Sequence, residues 1–315
     1  MSGLPMHPHH LGHTIDAMPA ELDQRVALVT LLRQPGVKWA DVTAELLDNG
    51  SAVEVLNRQF GIGDTLFHDK AALDRALTEA AALVDGWVSG GIGVHSLFDV
   101  SYPTRLRDVH QAPPLLFSQG TLAPDRRAVA VVGTRKPTER GAQMAGWIAG
   151  ALAGDGITVV SGLAAGIDTA AHTAALTAGG RTVAVIGTGI TRYYPAENRA
   201  LQRRIAAEGL VISQFWPDAA PTKFSFPMRN AVMSGYSAAT VVVEAEYRSG
   251  ARMQARLALE HGRPVVLPDE LLVHDWARDY ATRPGVHVVR DPDELVTVVN
   301  EIVRQIPDSL GEFVS

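Results

Sequence analysis

Between Ala128 and Asp168 the chain repeats one pattern twice: a run of small and β-branched residues that stops at a small-residue turn. The first run, 128–132, ends in Gly133-Thr134-Arg135. The second, 157–160, ends in Ser161-Gly162-Leu163-Ala164-Ala165-Gly166. Continuous Val and Ile, with no polar residue at every second place, fits a strand buried on both faces, the condition of a parallel sheet covered by helices. Five further runs, at 182–186, 209–212, 240–244, 264–267 and 286–289, are spaced mostly by helix-length segments, and Asp291-Pro292 introduces a last helix over about 293–305. The fold class is therefore α/β: a mostly parallel sheet with helices on both faces.

Ahead of it lies a different pattern. Val26, Leu28, Leu31 and Leu32 have helical spacing, Pro35-Gly36-Val37 makes a turn, and Val42, Leu46 and Leu47 form a second stripe ending at Asn49-Gly50. Ser51 is placed to cap a short third helix, and Leu73, Leu77, Ala81 and Val84 mark a longer one. Two helices joined around Pro-Gly-Val resemble helix-hairpin-helix (SAM-like) modules, although the acidic balance here suits packing or protein docking better. The expected domains are a disordered tail at 1–19, a small helical domain at 20–90, and the α/β domain with its connector at 91–315. The tail's His7, His9, His10 and His13 lack further ligand partners, so no metal site is expected there.

With no cysteine, disulfides and thiolate metal sites are excluded. No signal peptide or membrane-length apolar run is apparent, and a cytoplasmic location is expected. The net charge of −6 hides an uneven distribution. Residues 1–90 hold 6 Lys/Arg against 12 Asp/Glu, residues 91–267 hold 18 against 12, and residues 268–315 hold 4 against 10. A basic centre between acidic flanks suits a polyanionic ligand.

In open α/β sheets ligands bind at the carboxyl ends of the strands. Those ends carry Gly133-Thr134-Arg135, Ser161-Gly162, Gly187-Thr188-Gly189, Ser213-Gln214 and Glu244-Ala245. Glycine turns before helix N-termini let backbone N–H groups approach an anion, and the planar fork of Arg135 can grip a phosphate. Phe226 with Lys223, Arg229 and Asn230 at the start of a helix combines a stacking ring with cations, as single-stranded nucleic acid requires. Ser249-Gly250 is either a helix cap or a second phosphate contact. Glu244, a carboxylate at a strand end, can orient cations, bind a ribose hydroxyl or act as an acid or base. Asp168 and His172, four apart on one helix, can pair. Gly-x-Gly-x-x-Gly after a strand, a Walker A lysine, a Gly-x-Ser-x-Gly elbow and His-Glu-x-x-His are all absent, and no catalytic set, metal or cofactor is expected.

Taken in order, these residues resemble the DNA-processing protein A family (DprA, also called Smf). The resemblance runs from about Leu22 to Pro268. It takes in Tyr102-Pro103, Pro113-Pro114, Val132 to Arg135, Ser161 to Asp168 with Ala171-His172, Gly187-Thr188-Gly189, Tyr194-Pro195, Asn198, Phe226-Pro227, Arg229-Asn230, Glu244, Ser249-Gly250 and Gly262-Arg263. It implies an extended Rossmann-like domain that binds single-stranded DNA without base specificity, hands it to a RecA-type recombinase during recombination and natural transformation, and acts as a homodimer. On that resemblance Arg135, Lys223, Phe226, Arg229 and Asn230 bind DNA, and the Ser161-Gly162 and Ser249-Gly250 turns contact phosphates. The departures are Ser213-Gln214 for the usual Ser-Glu, Arg229-Asn230-Ala231 for Arg-Asn-Arg, and an acidic, tryptophan-containing stretch at Asp269–Ala281. A divergent member without the C-terminal winged-helix-like domain is expected. The alternative is a protein that binds or processes a nucleotide-derived ligand on the same fold, with Glu244 as its working carboxylate.

Overall fold

The computed structural model describes residues 20–59, 70–247 and 249–306, so the histidine-bearing tail lies outside the described residues. Four helices come first: α1 (Ala20–Leu32), α2 (Trp39–Asn49), α3 (Ala52–Gln59) and α4 (Lys70–Ser89). Gly50, with φ at +71°, ends α2 and donates its N–H to the Leu46 carbonyl. This left-handed position is one that glycine occupies without steric cost.

The next elements are β1 (Gly93–Ser96), the single-turn α5 (Thr104–Arg107) and β2 (Leu115–Gly120). From there strand and helix alternate: β3 (Ala128–Val132), α6 (Glu139–Gly154), β4 (Thr158–Ser161), α7 (Ile167–Thr177), β5 (Thr182–Val185), α8 (Arg199–Glu208), β6 (Leu210–Ser213), α9 (Ser225–Tyr236) and β7 (Ala239–Val242). The series closes with α10 (Gly250–Glu260), β8 (Val265–Pro268), α11 (Asp275–Ala281), β9 (Val286–Val289) and α12 (Pro292–Arg304). All seven Val/Ile runs become strands, six of them with every residue buried.

The strands form one nine-stranded sheet in the order β1-β2-β6-β5-β4-β3-β7-β8-β9. From β6 to β9 every pairing is parallel, while β1–β2 and β2–β6 are antiparallel. After β3 the chain steps outward one way through β4, β5 and β6, then crosses back to place β7 on the other side of β3. The direction of winding therefore reverses beside β3, which is where an open α/β sheet leaves a crevice at its carboxyl edge. One face is covered by α6, α7 and α12, with Ile148, Leu152, Ala171 and Val299 fully buried. The other is covered by α9, α10 and α11. The acidic stretch at Asp269–Ala281 belongs to this second layer, burying Trp276 and Tyr280 against the sheet.

Two expectations need correcting. The stretch 91–123 is more than a connector, because β1 adds an edge strand. Its Gly-Val-His-Ser sequence hid it, and His95 is buried there between the hydroxyls of Ser101 (2.9 Å) and Ser118 (2.8 Å). Residue 90 is also not a seam in the core. Leu28, Leu31, Leu46 and Val84 share one apolar cluster with Leu115, Phe117, Ile186 and Val211 of the sheet. An aromatic group fastens the two layers: Trp39 meets Trp216 edge-on at 5.1 Å, and Trp87 meets Phe117 at 5.2 Å. Removing a ring from such a contact costs about 2 kcal/mol at a half-buried position. Trp39→Ala is accordingly expected to lower the urea midpoint while far-UV circular dichroism and tryptophan fluorescence still follow one shared transition. Two separate transitions in the parent protein would show the helical layer to be an independent unit.

Candidate nucleic-acid interface

At the reversal of winding the loops after β3, β4 and β7 converge, and α9 closes them over. They enclose a cavity of about 410 Å³. Its lining includes Gly133, Thr134 and Arg135 after β3, Asp168 at the start of α7, Phe226, Arg229 and Asn230 on α9, and Ser249 and Gly250 at the start of α10. Nine residues singled out in the sequence are thereby brought into one wall, although they span 118 positions from Gly133 to Gly250.

Arg229 sits at the bottom. It is only 6% exposed, its Nε has no hydrogen-bond partner, and Nη1 reaches only the Met233 sulfur at 3.7 Å. Burial pushes its pKa down, the Asp168 charge opposes that, and the positive charge of Arg135 adds to the lowering. Asp168 is pushed up by burial and held back by Arg229. Its carboxylate accepts from the Gly162 and Ala164 N–H groups, both at 3.2 Å, so it is fixed to the turn after β4. A buried guanidinium with unfilled donors beside a polar cavity is unfavourable unless something negative fills the space.

The loop geometry makes room for that guanidinium. A Cβ at Gly162 would collide with the Arg229 side chain. Gly166, at φ +82°, lies so close to Thr134 and Pro137 that a side chain there would be both strained and obstructed. Leu163 is held at φ +57°, an uncommon conformation for a branched residue, and its carbonyl accepts from Asn198 Nδ2 at 2.9 Å. Asn230 donates to the Gly250 carbonyl (3.2 Å), tying α9 to the start of α10.

Above the buried charge lies an exposed one. The Arg135 guanidinium is 5.3 Å from the centroid of Phe226, whose other neighbour is Tyr194 at 5.6 Å. Tyr194 is 43% exposed and Phe224 66%. Lys223 does not line the cavity; its ammonium lies over the exposed Phe224 ring at 5.0 Å. Rings interleaved with cations beside a polar recess make a surface for stacking bases and neutralising phosphates.

Other expected residues stand behind this surface. The Ser161 hydroxyl donates to the Val131 carbonyl (2.7 Å) and is fully buried, so it points between strands β3 and β4. The Ser249 hydroxyl caps α10, accepting from the Ala251 N–H at 3.1 Å. Gly187-Thr188-Gly189 lies outside the cavity. A Cβ at Gly187 would come within 2.8 Å of the Phe226 ring, and Gly189 is packed under the 216–219 loop, so this turn seats Phe226 from below. Asp168 and His172 do not pair with each other: His172 Nδ1 bonds the Thr182 hydroxyl at 2.7 Å, while Asp168 faces backbone N–H groups.

Glu244 differs most from expectation. Strand β7 ends at Val242, and the Glu244 carboxylate turns away from the cavity to accept from the Thr138 N–H (3.1 and 3.2 Å) and hydroxyl (2.9 Å). Thr138 is the N-cap of α6, so Glu244 puts a negative charge at that helix's positive end and joins β7 to α6. Its carbonyl also accepts from the Thr134 N–H at 2.7 Å.

The cavity further contains Lys136, Glu246 and Gln254, none of which was anticipated. Lys136 was legible as the neighbour of Arg135. Glu246 and Gln254 carry no local signal, since only the packing of α9 against α10 brings them to the rim.

Residues 94–307 match the model of the family described as DNA recombination-mediator protein A. The chain belongs to that family. It is 38% identical over 212 residues to the DNA processing protein DprA of Streptococcus pneumoniae, covering 67% of this chain and 73% of that one. Against the Smf protein of Synechocystis it is 43% identical over 174 residues, covering 53% of this chain and only 43% of the relative's length. Among solved structures, DprA from S. pneumoniae aligns with a TM-score of 0.61 at 30% identity, over 89% of this chain and 93% of that one. DprA from Helicobacter pylori, whose structure describes a single-stranded DNA binding mode, aligns with a TM-score of 0.58 at 25% identity, over 67% of this chain and 96% of that one. Within the DprA pattern, Ala231 stands where a second arginine is usual, and its side chain is buried. Arg229 and Arg135 therefore carry the guanidinium chemistry of the cavity in this member.

Two expectations follow. Burial lowers His172 to about 3 and His95 to about 4, from an ordinary 6.5. Unfolded chains bind protons on these rings from about pH 6.5 downward while the folded protein does not, so stability is full above pH 6.5 and falls as the pH drops from there toward 3. Melting temperatures between pH 7.5 and 4.5 should fall steadily below 6.5, and a flat profile would show the rings to be solvated. Separately, Glu244→Ala should cost about 1–2 kcal/mol in urea unfolding, through loss of the α6 cap contacts.

Proposed function

We propose that the protein binds single-stranded DNA without base preference in the cavity between β3, β7 and α9. The observation that carries this is the buried Arg229, whose Nε has no partner and whose side chain lines a polar recess together with Arg135 and Phe226. A phosphodiester supplies the missing negative charge, accepting from guanidinium in forked geometry. The adjoining Phe226 and Tyr194 take bases by their faces, which every base possesses, so no sequence preference follows. The H. pylori relative with its described single-strand binding mode supports the same ligand.

Family membership supports a role in recombination, with delivery of the strand to a RecA-type recombinase and a homodimeric state as the finer proposals. Natural transformation as the pathway and a cytoplasmic location rest on the same footing. Among the described residues no helix is long and apolar enough to cross a membrane. The nucleotide-processing alternative relied on Glu244, and that carboxylate is engaged with Thr138 outside the cavity.

Fluorescence anisotropy with labelled oligonucleotides tests the proposal. Oligo-dT, oligo-dC and mixed sequences should bind within a few-fold of one another, with affinity falling as salt rises by about 0.7 in log–log slope for each phosphate neutralised. Arg135→Ala should weaken all of them at least tenfold. Equal binding by the parent and by Arg135→Ala, or no binding at low salt, would contradict it.

A further inference from the structure

The aromatic wall continues past Phe226 to a second cationic group on α8. Tyr194, stacked obliquely on Phe226, is followed in the chain by the cis-linked Pro195 and preceded by Tyr193. The Tyr193 ring lies under two guanidiniums: Arg199 at 4.8 Å and Arg203 at 5.4 Å from its centroid. Arg203 Nε also donates to the Tyr193 hydroxyl at 3.3 Å.

These arginines are placed against ordinary helix electrostatics. Arg199 is the first residue of α8, where the helix dipole disfavours a cation, and no acidic residue sits in that first turn. Arg199 and Arg203 are also four apart, so two like charges share one face. Among the described residues neither has a carboxylate partner, whereas the adjacent Arg204 is paired with Glu208 at 2.9 Å. Glu197, the nearest acidic residue in sequence, forms no ion pair with either. Two exposed guanidiniums, held side by side by a tyrosine ring and left uncompensated, are arranged to share an anion.

We propose that Arg199 and Arg203 form a second phosphate-binding subsite, which holds the backbone of the same single strand beyond the base that stacks on Phe226. Tyr194 is the stacking face between the two subsites, and Tyr193 is a positioning residue that fixes both guanidiniums. This rests on the single-strand reading of the cavity. The strand then follows one rim of the sheet's carboxyl edge, from the Arg229 recess across Phe226 and Tyr194 to the start of α8.

Strand length separates the two subsites. Anisotropy titrations are run with an oligothymidylate of roughly 5 nucleotides, enough for the cavity and Phe226, and one of roughly 25 nucleotides. For the double variant Arg199→Ala/Arg203→Ala, the long strand should lose at least tenfold in affinity at low salt, and its log–log salt slope should fall by about 1.4, corresponding to two phosphates. The short strand should bind within twofold of the parent. Arg204→Ala, which removes a carboxylate-paired charge from the same helix, should leave both strands unchanged. Equal losses from Arg204→Ala would reduce the effect to net charge and overturn the subsite. So would a double variant that binds the long strand with the parent's affinity and slope, even where Arg135→Ala still abolishes binding and the cavity reading stands. Loss of binding by the parent itself would instead remove the cavity reading.

Discussion

A buried guanidinium organises the carboxyl edge of this sheet. Taking an arginine out of water costs several kcal/mol even after relaxation, and the surroundings of Arg229 show how that cost is met only in part. Asp168 faces it as counter-charge and is itself anchored by the N–H groups of Gly162 and Ala164. Gly162 has no side chain because the guanidinium occupies that space. Its Nε is left without a partner, and the side chain is part of the cavity's lining. Shape, glycine placement and electrostatics are what the proposal of a negatively charged occupant rests on, and the aromatic wall adds what a nucleotide chain requires beyond a bare phosphate.

The rest of the fold keeps this edge rigid. At the opposite edge Asp125 accepts from Arg181 (2.6 and 2.9 Å), Thr158 (2.8 Å) and Tyr236 (2.5 Å), binding the segment before β3 to β4, β5 and the end of α9. Since α9 also carries Phe226 and Arg229, its two ends are fixed at opposite edges of the sheet. Glu244 clamps β7 to α6 on one side of the cavity, and the helical layer α1–α4 buries the far flank through Trp39, Trp87 and Trp216. Sites that need accurate placement are commonly built on such packed elements.

Strands were the most legible part of the sequence, because burial on both faces writes itself as uninterrupted Val and Ile. All seven such runs fall within two residues of the observed strands, while β1, with a histidine and a glycine among four residues, carried no such mark. Cavity residues next to glycine turns, such as Arg135 and Ser249, were likewise legible. What a side chain does there was less so. Ser161, Glu244 and His172 are the polar types a site requires, yet hydrogen bonds to Val131, Thr138 and Thr182 take them into structural roles. Those partners lie 10 to 106 residues away, beyond any local pattern. Tyr193 with Arg199 and Arg203 was missed for the opposite reason: its parts are local, but only helix geometry shows that both cations meet one ring.

The central claim is that Arg229 and Asp168 are held buried for a ligand and not for the fold. The most direct measurement pairs urea unfolding with single-strand binding for Arg229→Met/Asp168→Asn, which keeps the volumes and removes both charges. If the claim holds, the double variant is as stable as the parent or more so, as for other buried pairs replaced by uncharged groups, and has lost single-strand binding. A variant that is markedly less stable yet binds with the parent's affinity would contradict it, and would make the pair a structural feature of the edge.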